Sequence, residues 1–329
     1  MIKREAEATV KKLALGYPVV IITGPRQSGK TTLAKSAFPD KEYVSLENFD
    51  MRASVNEDPR LFLNRYPDGA IFDEVQHCPD LLSYMQERID FSSSTGDFIL
   101  TGSQRFEILS VITQSLAGRA AHLELLPFSL SELSETIPSY TLDGTLFSGL
   151  FPPVHDRKLD PDIWAGNYIR SYVERDVRRM INVRDLNVFQ RFVGLCAARI
   201  GQPVNLSSIA ADAGITHNTA KEWISLLEAC YIVFLLRPHR RNFRKRLIKS
   251  RKLYFHDTGL ASWLLSIETE RAMNLSSMRG PLFENLIISK MLKTRYIAGR
   301  RSNLHFWRDR AGTSVVSWRD SAALRSIQT

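Results

Sequence analysis

The sequence predicts an α/β chain. Its N-terminal half reads as a mostly parallel sheet covered by helices, and its second half as a basic helix-turn-helix region followed by an incomplete α/β segment. Three observations carry this reading. Short apolar runs alternate with helical segments through residues 18–125, the pattern of strands buried on both faces. One run leads directly into a glycine-punctuated loop and then a helix. Charge also divides the chain: residues 1–149 hold 14 Lys and Arg against 20 Asp and Glu, and residues 150–329 hold 30 against 15. An acidic half joined to a basic half implies two tasks, with a polyanion as the natural partner of the second.

Val19-Val20-Ile21-Ile22 is the first strand, β-branched and apolar as a buried parallel strand requires. Gly24-Pro25-Arg26-Gln27-Ser28-Gly29-Lys30-Thr31 follows and fits G-x-x-x-x-G-K-[ST] at every fixed position. Glycines let successive backbone N–H groups turn toward phosphate oxygens. Lys30 supplies a point charge for the β- and γ-phosphates, and the Thr31 hydroxyl suits Mg²⁺. Thr32 opens the next helix, whose N-terminal dipole favours anions.

Lys41–Leu46 reads as a further strand, and Ala70-Ile71-Phe72-Asp73-Glu74 as an apolar strand ending in two acids. Carboxyl ends of parallel strands face the ligand crevice. Asp73 is therefore the Mg²⁺ ligand, acting through a water, and Glu74 the group that orients or deprotonates the attacking water. Asp97–Thr101 is a third strand, which places Thr101 and Ser103 as candidates to sense the γ-phosphate. Arg119 reads either as an arginine finger, in cis or toward a neighbouring subunit, or as half of a surface ion pair. Pro127 ends the last strand. Ser129 and Glu132 then form a capping box.

Gly24-Pro25-Arg26-Gln27, Phe72-Asp73-Glu74-Val75-Gln76, Leu100-Thr101-Gly102-Ser103-Gln104 and Gly118-Arg119 through Leu126-Pro127-Phe128-Ser129 occur in this order. In them the chain resembles the AAA+-type P-loop ATPases of bacteria and archaea that carry a C-terminal domain of unknown function. The resemblance extends to about residue 310. It implies ATP as the nucleotide, and an ATPase core coupled to a winged helix and a nuclease-like module.

Residues 205–229 carry the helix-turn-helix pattern. Gly214 supplies the turn and Thr216 caps the second helix. Ala220, Trp223, Ile224 and Leu227 recur at helical spacing, leaving His217, Asn218, Lys221 and Glu222 on the outer side. Tyr231–Leu236 and Lys252–His256 are strand-like, and the run between them holds Arg240, Arg241, Phe243, Arg244, Lys245 and Arg246. Helix-turn-helix plus a basic hairpin is a winged helix, in which Lys221 and the hairpin cations would meet DNA. Such modules also bind proteins, and the pattern does not separate duplex from single strand. Upstream, Phe151–Asp156 reads as a Pro-containing linker and Tyr168–Arg179 as a charged connecting helix.

Gly280–Ile287 resembles the opening of the nuclease-like module, with Glu284 matching its first acid. Mg²⁺-dependent cleavage needs clustered carboxylates, and the last 25 residues hold only Asp309 and Asp320. A truncated or frame-shifted C-terminus, or a module that never cleaved, explains this pattern. Nuclease activity is not expected.

Cys78, Cys196 and Cys230 are widely spaced and form no C-x-x-C pair, which argues against a disulfide framework or zinc site and for the cytoplasm. No membrane span or signal core is expected. The expected organisation is an ATPase domain over 1–150, a linker helix and winged helix over 151–270, and a partial nuclease-like segment over 271–329. The expected activity is an Mg²⁺-dependent ATPase whose nucleotide state is coupled to a basic winged-helix domain that binds nucleic acid, with DNA as the candidate partner and oligomerisation open. The alternative is a nucleotide-gated switch acting on a protein partner with little turnover.

Overall fold

The computed structural model describes residues 2–91, 94–103, 116–134, 141–173, 185–239, 250–308, 314–320 and 323–328. They group into two compact units: Met1–Leu126 with Arg295–Arg300, and Pro127–Thr294 with Arg301–Thr329.

The first unit contains α1 (Ala6–Ala14), β1 (Val19–Thr23), α2 (Lys30–Ala37), β2 (Glu42–Ser45), α3 (Phe49–Glu57), α4 (Pro59–Asn64), β3 (Ala70–Asp73), α5 (Leu81–Phe91), β4 (Phe98–Gly102) and β5 (Ala120–Glu124). The strands form one sheet in the order β2-β3-β4-β1-β5, parallel at every pairing. All five residues of β1 are buried, because helices cover both faces. Val19 and Ile21 point into a core with Phe62, Phe72, Leu82, Met85 and Phe98. Val20 and Ile22 point into the opposite one with Ala6, Val10, Leu33 and Ala34. The sequence thus predicts the sheet correctly, including its parallel sense. Because β1 sits between β4 and β5 while the chain's next strand is three places away, a crevice opens at the carboxyl ends of β1, β3 and β4.

The second unit contains α6 (Leu130–Ser134), α7 (Leu142–Ser148), α8 (Pro152–Asp156), α9 (Pro161–Tyr168), α10 (Leu186–Ala197), α11 (Leu206–Ala213), α12 (His217–Ala229), β6 (Val233–Pro238), β7 (Lys252–Phe255), α13 (Thr258–Leu264), α14 (Glu270–Leu275), α15 (Arg279–Ile297), β8 (Leu304–Arg308), β9 (Ser314–Asp320) and β10 (Ala323–Gln328). It begins before residue 150, where the sequence sets the boundary. The reason is hydrogen bonding: Phe128 N–H donates to Leu150 O at 2.9 Å, Leu150 N–H to Asp257 Oδ2 at 2.7 Å, and Ser262 Oγ to Leu146 O at 3.0 Å. The expected linker at 151–156 is instead the buried helix α8, started by Pro152 at a position that needs no N–H. Phe151 before it packs at a tilt against Trp164 and Tyr168.

The helix-turn-helix pattern is realised as α11 and α12. Gly214 adopts the left-handed conformation at the end of α11, and Thr216 Oγ1 accepts the Thr219 N–H at 3.1 Å. Trp223 packs edge-on against Phe189 and Phe192 of α10. β6 and β7 pair antiparallel. β6 also pairs in parallel with β8, so one sheet of order β10-β9-β8-β6-β7 crosses the boundary expected at 270.

Candidate nucleotide site

The loop between β1 and α2 is held by backbone demands that its sequence meets. A Cβ on Gly24 would run into the Leu125 carbonyl oxygen, and Gly29 sits at φ 89° as the N-cap of α2, a conformation that favours glycine. Gly29 has no side chain to cap α2, which leaves first-turn N–H donors available to a ligand. Arg4 braces the loop from behind: Nη1 donates to Ser28 O at 2.6 Å and Nη2 to Leu126 O at 2.8 Å. Nothing local in the sequence marks Arg4 for this role, since it arrives from the segment before α1.

Lys30 is buried, with Nζ donating to Gly24 O at 3.1 Å and Pro25 O at 2.9 Å. Burial pulls its pKa down, and Glu74 and Asp73 oppose that pull. An ammonium resting on its own loop's carbonyls is poised to exchange them for phosphate oxygens. Pro25 is buried, Gln27 and Thr32 are exposed, and Gln27 has φ 59°. Arg26 approaches Glu47 at 3.9 Å. Ser28 Oγ is buried and, among the described residues, has no hydrogen-bond partner. That orphan hydroxyl, the bare α2 terminus and Lys30 together fit a bound polyphosphate.

Asp73 collects three hydroxyls. Thr31 Oγ1 lies 2.9 and 3.1 Å from its two oxygens, Tyr43 OH donates to Oδ2 at 2.8 Å, and Thr101 Oγ1 donates to Oδ1. The phenol of Tyr43 is pushed up to about 12 by burial and by its bond to Asp73. An oxygen-only set of one carboxylate and several hydroxyls suits Mg²⁺, with Thr31 and Asp73 as the residues to hold it. Tyr43 was not visible in the sequence, because it reaches Asp73 across the β2–β3 pairing.

Glu74 follows β3 at φ 57°, an uncommon conformation for a residue with a side chain. Its N–H donates to Thr101 Oγ1 at 3.3 Å, so Thr101 bridges the two acids. Glu74 Oε2 accepts from Ser103 Oγ at 2.9 Å and from Gln76 Nε2. Burial raises its pKa, but Lys30, Gln76, Ser103 and Arg26 outweigh burial and leave it below the ordinary carboxylate range. Glu74 is therefore an anion, as a base must be.

Lys30, Thr31, Asp73, Glu74 and Ser103 thus converge. Arg119 does not join them. Its carbonyl accepts the Val19 N–H at 3.3 Å, which puts it at the entry of β5 and β1, a strand length of roughly 13 Å from the loop. Its guanidinium pairs with Asp90 at 2.5 and 2.9 Å. Parallel pairing of β5 with β1 dictates this, and it removes the in-cis reading.

In the second unit, His217, Asn218, Lys221 and Glu222 lie exposed on α12, as the sequence predicts. Arg240, Arg241, Phe243, Arg244, Lys245 and Arg246 lie outside the described residues, as does Gln104. Glu284 is engaged by scaffold: Tyr254 OH donates to it at 2.6 Å and Lys252 Nζ at 3.2 Å. No helix among the described residues is long and apolar enough to cross a membrane.

Residues 16–134 match the AAA domain family, and residues 139–271 match a domain of unknown function (DUF8612). Two curated relatives, uncharacterised proteins Mb2031c of Mycobacterium bovis and Rv2008c of Mycobacterium tuberculosis, are each 27% identical over 294 residues. That alignment takes in 88% of this chain, which spans 65% of the length of each relative. Among solved structures, the Walker-type ATPase PABY2304 of Pyrococcus abyssi superposes with TM-score 0.54 at 12% identity, over 80% of this chain and 96% of that one. The α/β unit at the N-terminal end has the all-parallel five-stranded fold of a P-loop NTPase core, and residues 16–134 within it match the AAA family.

Proposed function

We propose that the chain binds ATP with Mg²⁺ and hydrolyses it, and that its nucleotide state is coupled to a winged-helix region that binds nucleic acid. The observation that carries hydrolysis, beyond binding, is the ionised Glu74 held beside Asp73 by Ser103, Gln76 and Thr101. A site that only binds needs Lys30, Thr31 and Asp73 but has no use for a second, separately tethered carboxylate. Lys30, Ser28 and the α2 terminus hold the polyphosphate, and Thr31 and Asp73 hold Mg²⁺. When bound, the ion neutralises phosphate charge. Glu74 takes a proton from the water that adds to the γ-phosphorus, and the bond to the bridging oxygen breaks to leave ADP. Arg119, a half-buried cation paired with Asp90, would serve as a finger only toward a neighbouring subunit's nucleotide.

Support for the nucleic-acid arm is the exposed face of α12, with His217, Asn218 and Lys221 near its start, beside the paired strands β6 and β7. Measurement of phosphate release tests the first part. Glu74→Gln should retain ATP binding and lose turnover by about 10²-fold or more; normal turnover in that variant removes Glu74 from the mechanism. Salt-dependent DNA affinity that weakens in Lys221→Ala tests the second part, and salt-independent or absent DNA binding rejects it in favour of a protein partner.

A further inference from the structure

We infer that Gln76 orients the attacking water jointly with Glu74: its amide N–H holds the carboxylate while its amide oxygen accepts a hydrogen from the same water. This rests on the hydrolysis reading above. Gln76 Nε2 donates to Glu74 Oε2 and lies 3.3 Å from Ser103 Oγ. The NH₂ side of the amide is the end that faces Glu74 Oε2, and the only donor a side-chain amide has. With its nitrogen on Glu74, the amide has its oxygen left to accept from another donor. Oε1 is buried and, among the described residues, has no hydrogen-bond partner. A buried acceptor left without a donor is rare and calls for one. A water between this oxygen and Glu74 supplies it, and loses its proton to the carboxylate while the amide oxygen fixes its second hydrogen.

The backbone prepares this arrangement. The left-handed Glu74 starts a tight turn over Val75–His77, which brings side chains two residues apart to the same oxygen. Ser103, at the end of β4, closes a ring with both. A side-chain amide is well suited to the task, because it donates and accepts at once and does not titrate.

The test compares wild type, Gln76→Leu and Gln76→Met with Ser103→Ala. ADP affinity reports a folded loop, steady-state kinetics report kcat and KM, and the affinity of ADP with Mg²⁺ and aluminium fluoride reports an ordered water without turnover. In both Gln76 variants kcat should fall on the order of 10²-fold with KM and ADP affinity within about twofold, and the aluminium fluoride gain should fall in step. Ser103→Ala, which keeps the amide oxygen, should lose only about tenfold or less. Full turnover in Gln76→Leu overturns the proposal, as does a parallel loss of ADP affinity in both Gln76 variants. Absence of turnover in wild type instead overturns the hydrolysis reading on which it stands.

Discussion

The loop site of the first unit and the buried polar cluster of the second are both rich in charge, yet their hydrogen bonds are spent differently. In the second unit, scaffold absorbs the polar groups. Asp257 accepts from Leu150 N at 2.7 Å and Leu260 N at 3.2 Å. Asn285 pairs with both the N–H and the carbonyl of Phe255, and Lys293 donates to Phe128 O at 2.9 Å. In the loop site, capacity is left over: Ser28 Oγ and Gln76 Oε1 have no partner among the described residues, and Lys30 rests on carbonyls of its own loop. The contrast separates groups that hold a fold from groups that await a ligand. Glu284, which resembles a nuclease acid in sequence, falls on the scaffold side of this contrast: Lys252 and Tyr254 both donate to its Oε1.

The sharpest test of the contrast removes one lysine. Lys30→Ala should cost nucleotide affinity on the order of 10²-fold or more, by titration with a fluorescent ATP analogue, because a charge-assisted phosphate contact is lost. Thermal stability should hold or rise, since burial already disfavours this ammonium. A variant that unfolds would place Lys30 with the scaffold and break the distinction.

Asp257→Ala should show the opposite balance. It strips the N-cap of α13 and orphans a buried Leu150 N–H, at a cost of about 2–4 kcal/mol in denaturant unfolding. Nucleotide affinity should remain near wild type.

A smaller effect follows from His155. Its ring nitrogen meets Gly149 O at 2.9 Å. Burial pulls its pKa down, against the pull of that carbonyl and of Asp257. The folded state therefore resists protonation. Its contribution is complete above the ordinary histidine value of 6.5 and declines as pH falls below that value toward the folded pKa. Asp257, whose pKa is raised by burial, acts in the opposite sense and favours the folded state as pH falls. Unfolding midpoints followed from pH 7 downward should fall through the histidine window in wild type and flatten there in His155→Gln. An unchanged slope in that variant would remove His155 as the source.

These contrasts were only partly legible beforehand. Gly24, Gly29, Lys30 and Thr31 sit within eight residues, so their spacing alone shows the loop. Gly214 and Thr216 likewise punctuate α11 and α12 locally. Asp73 and Glu74 were readable because an apolar strand ends on them. Arg4, Tyr43 and the free valence of Gln76 were not, since each depends on which segment lies beside which: Arg4 on Ser28 and Leu126, Tyr43 on the β2–β3 register. The same limit leaves Arg119 divided in the sequence between a finger and a surface ion pair, because motif order does not say at which end of a parallel strand a residue falls. It also hid the parallel pairing of β6 with β8, about 70 residues apart.

Tyr43 gives the finest probe, because it belongs to the site yet is spent like scaffold. Its hydroxyl donates to Asp73 at 2.8 Å, and Lys35 lies 3.4 Å over its ring. Tyr43→Phe keeps the ring, and with it the cation–π contact, and deletes one donor from a carboxylate that retains Thr31 and Thr101. Outer hydrogen bonds orient a metal-binding carboxylate, and their loss costs about 10-fold or more in metal affinity. With two donors remaining, the Mg²⁺ concentration for half-maximal turnover should rise by about 3–10-fold, on the scale of one net hydrogen bond. The unfolding midpoint should stay near wild type. A fall in stability with unchanged Mg²⁺ dependence would assign Tyr43 to the scaffold, and would move the border between the two kinds of polar group inside the loop site itself.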